Sequence, residues 1–297
     1  MKILIAGGTG FVGKELTSFL SQKGYKINVL TRREYKNKPN IQYYSWDLKK
    51  DYIDKKAFEG VSAIINLTGA SIAEKRWTNQ RKNEILESRV KSITLLHQYT
   101  SMNNFPIQTL ISSSAVGYYG AITSKEVFTE ASKNGNDFLG SVCSQWEQAT
   151  QAFDHLGCRV VILRKGVIVG KNGAFNQKLA SLAKLGINPC VGSGSQYVPW
   201  IDLRDLVRLY DSILQDSAIT GVYNATASQH ISMEEIAHEF LHHFGKRKLT
   251  PNAPSFIIQL LFGELSSMML EGSRVSNERI KNKGFQFKIE NFRQTFN

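Results

Sequence analysis

The sequence is short of cysteine, proline and long apolar runs, and each shortage excludes something. Only three cysteines occur, Cys143, Cys158 and Cys190. They are odd in number and unpatterned, with no CxxC and no histidine partner nearby. That favours reduced thiols and argues against a disulfide frame or a metal site. No stretch approaches the roughly 18 apolar residues a membrane span needs. The segment before Gly7 has too few apolar residues for a secretory leader, so a cytoplasmic protein is expected. Six prolines and 23 glycines are spread along 297 residues without a repeat or a low-complexity tract. The length suits one large or two modest cores.

Acidic residues are also scarce, 25 against 37 lysines and arginines, for a net charge of +12. The basic residues are scattered as Arg32-Arg33, Lys49-Lys50, Lys55-Lys56 and Lys246-Arg247-Lys248. No basic tail, recognition helix or aromatic-basic strand motif accompanies them, so no nucleic-acid partner is expected. A positive field that draws in anionic small molecules accounts for the same charge.

What is there is an alternation of short apolar runs with amphipathic stretches. The runs are 3–6, 26–31, 41–45, 61–67, 107–113 and 159–164, rich in Ile, Val and Leu without clean alternation. Strands covered on both faces read this way, so the spacing predicts an α/β fold with a doubly wound parallel sheet. Helices are expected over 11–22, 77–102 and 138–156, the second with Leu86, Val90, Ile93 and Leu96 as its core stripe. Past residue 165, closely spaced glycines suggest loops and small elements. A helix near 202–215 and a strand at 221–224 return to the sheet. Helices follow at 232–243 and 254–270, the last apolar enough to be buried or to face a partner. The expected division is a main unit, 1–165 with about 200–225, and a smaller, mostly helical lobe from about 166–199 and 226–297. A crevice between them is the expected ligand site.

The strongest motif is Gly7-Gly8-Thr9-Gly10-Phe11-Val12-Gly13. It follows a strand and opens a helix, the context that separates a dinucleotide loop from a chance glycine pattern. Glycines let the amides approach a pyrophosphate, and the helix N-terminus stabilises its charge. The main unit is therefore expected to be a Rossmann-type domain. At the end of the second strand, where an NAD enzyme carries a carboxylate for the ribose 2′-hydroxyl, the sequence reads Thr31-Arg32-Arg33. Arginines bind a 2′-phosphate through charge-assisted hydrogen bonds, so the expected cofactor is NADP(H). Asp47 after the third strand is expected near the adenine, and Leu67-Thr68-Gly69 under the adenosine ribose and pyrophosphate.

These residues resemble the short-chain dehydrogenase/reductase superfamily in its extended, epimerase-like form. More narrowly, the chain is similar to an atypical branch of epimerase family proteins. The branch-like segments are Ile65 to Ala70, Arg76-Trp77, Glu87-Ser88-Arg89, Ser114 to Gly120, Pro199 to Asp202 and Leu270-Glu271-Gly272. The resemblance implies that Glu84, Arg89 and Val167 also line the cofactor pocket, and that Ser114 polarises a substrate carbonyl or alcohol. It also exposes a departure. Extended members carry Tyr-x-x-x-Lys on the helix after the fifth strand, the Tyr as acid/base. If Glu147 matches the acidic residue that follows that motif, Leu139 stands at the Tyr and Cys143 at the Lys. Neither can substitute.

Two readings remain. One is an NADP(H)-dependent oxidoreductase or epimerase acting on a carbonyl or alcohol, with an anionic or sugar-like substrate. In it Ser114 orients substrate, and Tyr118 or Tyr119 donates the proton if Arg164 or Lys165 lowers its pKa. Gln196, Trp200 and Arg274, with Gly194, Ser195 and Tyr197, are the candidate substrate-side residues. The other is a non-catalytic NADP(H)-binding or redox-sensing protein that signals through 254–270. By analogy, a homodimer would form through the long helix 77–102.

Overall fold

The computed structural model describes all 297 residues. Its main strands are β1 (Lys2–Ala6), β2 (Lys26–Thr31), β3 (Ile41–Asp47), β4 (Tyr52–Ile53), β5 (Ala63–Asn66) and β6 (Thr109–Ala115). Two short strands, β7 (Val127–Phe128) and β9 (Val167–Val169), flank β8 (Arg159–Lys165). The last three are β10 (Trp200–Asp202), β11 (Gly221–Ala225) and β12 (Arg274–Val275). Eight of them form one sheet in the order β11-β8-β6-β5-β1-β2-β3-β4, parallel except for β4 on β3. The other four make two parallel ribbons, β9 with β10 and β7 with β12.

The sheet is wound outward from β1, through β2 and β3 on one side and β5, β6, β8 and β11 on the other. The C-terminal edge between β1 and β5 is therefore the topological switch point, where such sheets take their ligands. Helices cover both faces, which is why the strand interiors are apolar throughout. On one face Ile3, Ile5, Val29, Ile65 and Leu163 pack under α1 (Phe11–Gln22) and, from later in the chain, α5 (Leu203–Gln215). On the other, Leu4, Leu30, Ile64, Leu110 and Ile162 pack under α2 (Asn79–Met102) and α3 (Phe138–Gln151). Each fully buried Ile or Leu contributes about 1.5–3 kcal/mol, so the two faces hold most of the folding energy. No helix is long and apolar enough to cross a membrane.

A third cluster, around Trp200, Ile236, Phe240 and Phe292, joins α4 (Ala174–Ala183), α6 (Met233–His243) and the C-terminal turn. Helix α4 was not expected. It starts directly after Gly173, inside a stretch whose glycines suggest loops, and buries Asn176, Leu179 and Ala183. The stretch 254–270 is not one helix. Helix α7 (Ser255–Phe262) stops at Gly263, whose φ is +59°, and a separate turn, α8 (Ser267–Leu270), follows. Nor is α7 buried: Phe256, Leu260 and Leu261 are exposed, while Ile258 is buried and Phe262 packs against the cluster around Trp77 and Leu265. A final turn, α9 (Glu278–Lys281), sets Ile280 into the first face. On α2 the buried line is Ile85, Ile93 and Leu96. Leu86 and Val90 instead line a shallow groove of about 320 Å³ with Lys91 and Gln145.

Candidate functional site

The glycine loop joins β1 to α1 as the sequence predicts. Gly7 has a φ of +84°, a conformation an L side chain rarely adopts. A Cβ on Gly13 would stand 2.2 Å from the Gly7 carbonyl oxygen, so the helix start and the loop touch backbone to backbone. Helix α1 has Gly10 as N-cap, no side chain capping it and no acidic residue in its first turn. Its first amides are free to receive an anion, and the helix dipole favours negative charge there. Phe11 packs against Gly170 and Gly173, tying the loop to the segment after β9. These features fit a pyrophosphate cradle.

At the end of β2, the Thr31 hydroxyl accepts from the Arg33 amide at 3.1 Å and turns the chain there. Arg32 and Arg33 stay exposed and make no ion pair. Asp47 ends β3 and its carboxylate caps the Lys49 amide at 2.9 Å. After β5, the Thr68 hydroxyl bonds to Asn66 and to Ser92 of α2. Arg89 reaches under this loop. It donates to the Ala70 and Ile85 carbonyls at 3.1 and 2.9 Å and lies against Gly69. Burial holds the Arg89 pKa below its ordinary value. Glu84 does not join the group. It is exposed and paired with Arg81, whose hydrogen bond lowers the Glu84 pKa. Val167 opens β9, partly exposed beside β10.

The other half of the edge, above β6 and β8, is unlike what the resemblance implies. Leu139 and Cys143, the residues that the Glu147 match sets against the Tyr and Lys, are buried on α3. Leu139 belongs to an apolar cluster with Trp77, Ile85, Val142 and Leu265, so its surroundings are hydrocarbon. Burial pushes the Cys143 thiol up to about 12, which leaves it inert at neutral pH.

Ser114 is buried too, and its single proton goes to Glu147 at 2.6 Å. In this arrangement that proton is directed away from a substrate oxygen. Glu147 in turn takes both prongs of Arg164, at 2.9 and 2.8 Å, and both side chains are almost fully buried. Burial alone would lower the Arg164 pKa; the Glu147 carboxylate outweighs it and raises it. Arg164 also donates to the Tyr119 hydroxyl at 3.1 Å, and that hydroxyl donates to Asn224 at 2.7 Å. Arg164 does pull the Tyr119 pKa downward, as the sequence suggests a neighbouring cation would. Burial is the larger effect, however, and pushes it up to about 12. Tyr119 is thus locked and protonated. Tyr118 lies with its ring over the Arg164 guanidinium at 3.3 Å and remains partly exposed.

The opposite face of the same strands carries a different pair. Parallel register matches Ser114 with Arg164 and Ala115 with Lys165, so Lys165 turns toward the Ser113 side. Its amine lies 2.7 Å from the Ser113 hydroxyl, behind which stands Tyr210 of α5 at 3.4 Å. Sequence reasoning passes over Ser113 altogether. The signal that could have found it is the period of two along Ser112-Ser113-Ser114, which sends the middle serine to the other face.

The substrate-side candidates divide. Trp200 is fully buried in the third cluster and its indole donates to the Gln229 carbonyl at 3.1 Å, so it has no surface for a ligand. Gln196 is a loop clamp, donating to the Val191 and Met269 carbonyls at 3.0 Å each. Arg274 bonds to the Lys125 carbonyl and lies over the Tyr197 ring, in a clasp with the Thr123–Glu271 and Ser273–Ile122 hydrogen bonds. Gly194 and Ser195 lie in the loop that precedes Gln196.

The family model described as "NAD dependent epimerase/dehydratase family" matches residues 3–226. The chain belongs to that family. A second model, "Domain of unknown function (DUF1731)", matches residues 253–297. Family members of this extended short-chain dehydrogenase type share the Rossmann-like sheet. An epimerase family protein of Staphylococcus aureus is 32% identical over 98% of this chain and 96% of its own. The crystal structure of a human epimerase family protein with NADPH has a TM-score of 0.85 and 27% identity, covering 99% of this chain and 97% of that one. The UDP-glucose 4-epimerase of Thermus thermophilus in complex with NAD superposes with a TM-score of 0.77 at 17% identity, over 99% and 97% of the chains, a likeness of fold.

Proposed function

We propose that this member of the NAD dependent epimerase/dehydratase family uses NADP(H), and that it oxidises, reduces or epimerises a carbonyl or alcohol compound of anionic or sugar-like character. What carries the cofactor choice is the bare pair Arg32 and Arg33 at the end of β2, exposed and without an ion-pair partner. The NADPH in the human relative supports the same choice. When bound, the cofactor supplies a hydride donor or acceptor. The chain's part is to hold it. The amides at the start of α1 take the pyrophosphate, Arg32 and Arg33 take the 2′-phosphate, and Asp47, Thr68 and Gly69 border the adenosine half. Val167, and Arg89 beneath the loop at Gly69, would border the nicotinamide half. The substrate would lie in the crevice between the sheet edge and the smaller C-terminal lobe, within reach of Tyr118 and the Arg274 clasp, in a net positive field.

The test is binding. Substituting Arg32→Ala and Arg33→Ala together removes charge-assisted hydrogen bonds to a phosphate. NADPH affinity should fall about 10- to 100-fold while NADH affinity barely changes. Equal losses for both cofactors in a fluorescence titration would defeat the assignment.

A second reading, cofactor binding without turnover, is favoured by one specific observation. Leu139 and Cys143, which the Glu147 match sets at the Tyr and Lys positions, are an apolar side chain and a buried thiol, and Ser114 is tied to Glu147. It is separated from the first by offering the NADPH-loaded protein a panel of aldehydes, ketones and nucleotide sugars. Tight binding with no oxidation of NADPH by any class would favour it.

A further inference from the structure

With Tyr119 locked and Leu139 apolar, two titratable groups at this edge have no hydrogen-bonded counter-ion, the partly exposed Tyr118 hydroxyl and the Lys165 amine. Lys165 ends β8 with its amine enclosed and only the Ser113 hydroxyl within hydrogen-bond distance. The groups facing it are few: Ser113 from β6, Tyr210 of α5 behind that serine, and the Arg89 charge from α2. No carboxylate pairs with it, since Glu147 is bound to Arg164 on the opposite face. The residue as a whole is only half-buried, at the C-terminal end of β8.

We propose that Lys165 is the proton-exchanging group of this site, an amine doing work that a Tyr–Lys pair does elsewhere. This rests on the NADP(H) reading above. In the oxidative direction the alcohol O–H proton passes to the neutral Nζ and the carbinol hydride passes to the oxidised nicotinamide. The products are a carbonyl, an ammonium and NADPH, and reduction runs the same transfers backward. A lysine can serve only if it is neutral part of the time. Burial, helped by the repulsion of Arg89, brings the Lys165 pKa down to about 7, where both forms are populated at neutral pH.

The test needs no known substrate. In protein labelled at lysine 13Cε, the resonance lost in Lys165→Met should titrate with a midpoint near 7 in an NMR pH series. Oxidised nicotinamide carries a positive charge that the reduced ring lacks, so it should disfavour the ammonium. The ratio of the NADP+ to the NADPH dissociation constant should then fall about fivefold from pH 6 to pH 8 for a one-unit coupling, and stay flat in Lys165→Met. A melting temperature at or above that of the wild type confirms that the variant is folded. A midpoint above pH 9, or the same pH dependence in the variant, overturns the proposal while leaving cofactor binding intact. Failure of the wild type to bind either nucleotide removes both the proposal and the reading it rests on.

Discussion

Strands β6 and β8 present two faces at the sheet edge, and the faces are opposites. On one, Ser114, Glu147, Arg164, Tyr119 and Asn224 form a buried network in which each charge has its counterpart. On the other, one residue out of phase, Lys165 has a serine and no counter-ion. The first is saturated and holds strands and helix together. The second leaves a group free to change its protonation. Polar residues crowded at a strand end do not by themselves make a reaction centre. What matters is which of them retain an unspent proton or lone pair.

Breaking the saturated face should have the largest effect. Glu147→Ala strands the Arg164 charge in a site with almost no solvent, and a loss of about 3–5 kcal/mol is expected in urea unfolding. A loss below about 1 kcal/mol would mean that the pair is not buried in solution. Removing the amine from the other face should act in the reverse sense. The Lys165 pKa lies near 7 when folded against 10.5 in the free side chain, so the unfolded chain holds more protons between those values. Wild-type stability should therefore rise with pH across that window and lack this contribution below it. Lys165→Met should flatten that slope and stabilise the protein near pH 7 by about 1–3 kcal/mol, allowing for partial solvent access. The smallest contrast lies between the two tyrosines. Tyr119→Phe leaves Asn224 and Arg164 each short of a hydrogen bond and should cost about 1–2 kcal/mol. Tyr118→Phe should stay within about 0.5 kcal/mol, because its hydroxyl has no protein partner to lose.

Much of the candidate cofactor side is legible in the sequence because it is local. The glycine loop, the bare arginines and the strand that precedes each sit within a few residues, and their chemistry follows from order along the chain. The apolar runs located the main strands for the same reason, since strands covered on both faces need continuous Ile, Val and Leu. The reacting end was harder to read. Whether Ser114 can donate to a ligand depends on Glu147, 33 residues away, and on Arg164 from the neighbouring strand. Trp200 looked like a ligand contact in a loop-rich stretch. Its burial comes from Phe240 and Phe292, distant in sequence and not signalled by periodicity. For helix α7 composition alone leaves two readings, buried or facing a partner, and most of its apolar side chains face outward.

The contact between Gly13 and the Gly7 carbonyl has a consequence for how the cradle meets its ligand. Two backbone segments in hard contact cannot rearrange independently, so the amides proposed to hold a phosphate are already oriented in the free protein. Little conformational entropy is then lost on association, and no loop need close before the phosphate is held. Affinity at that end is therefore governed by charge and salt concentration. The exposed arginines at the end of β2 carry no such constraint, so under the proposed reading the ligand itself would order them.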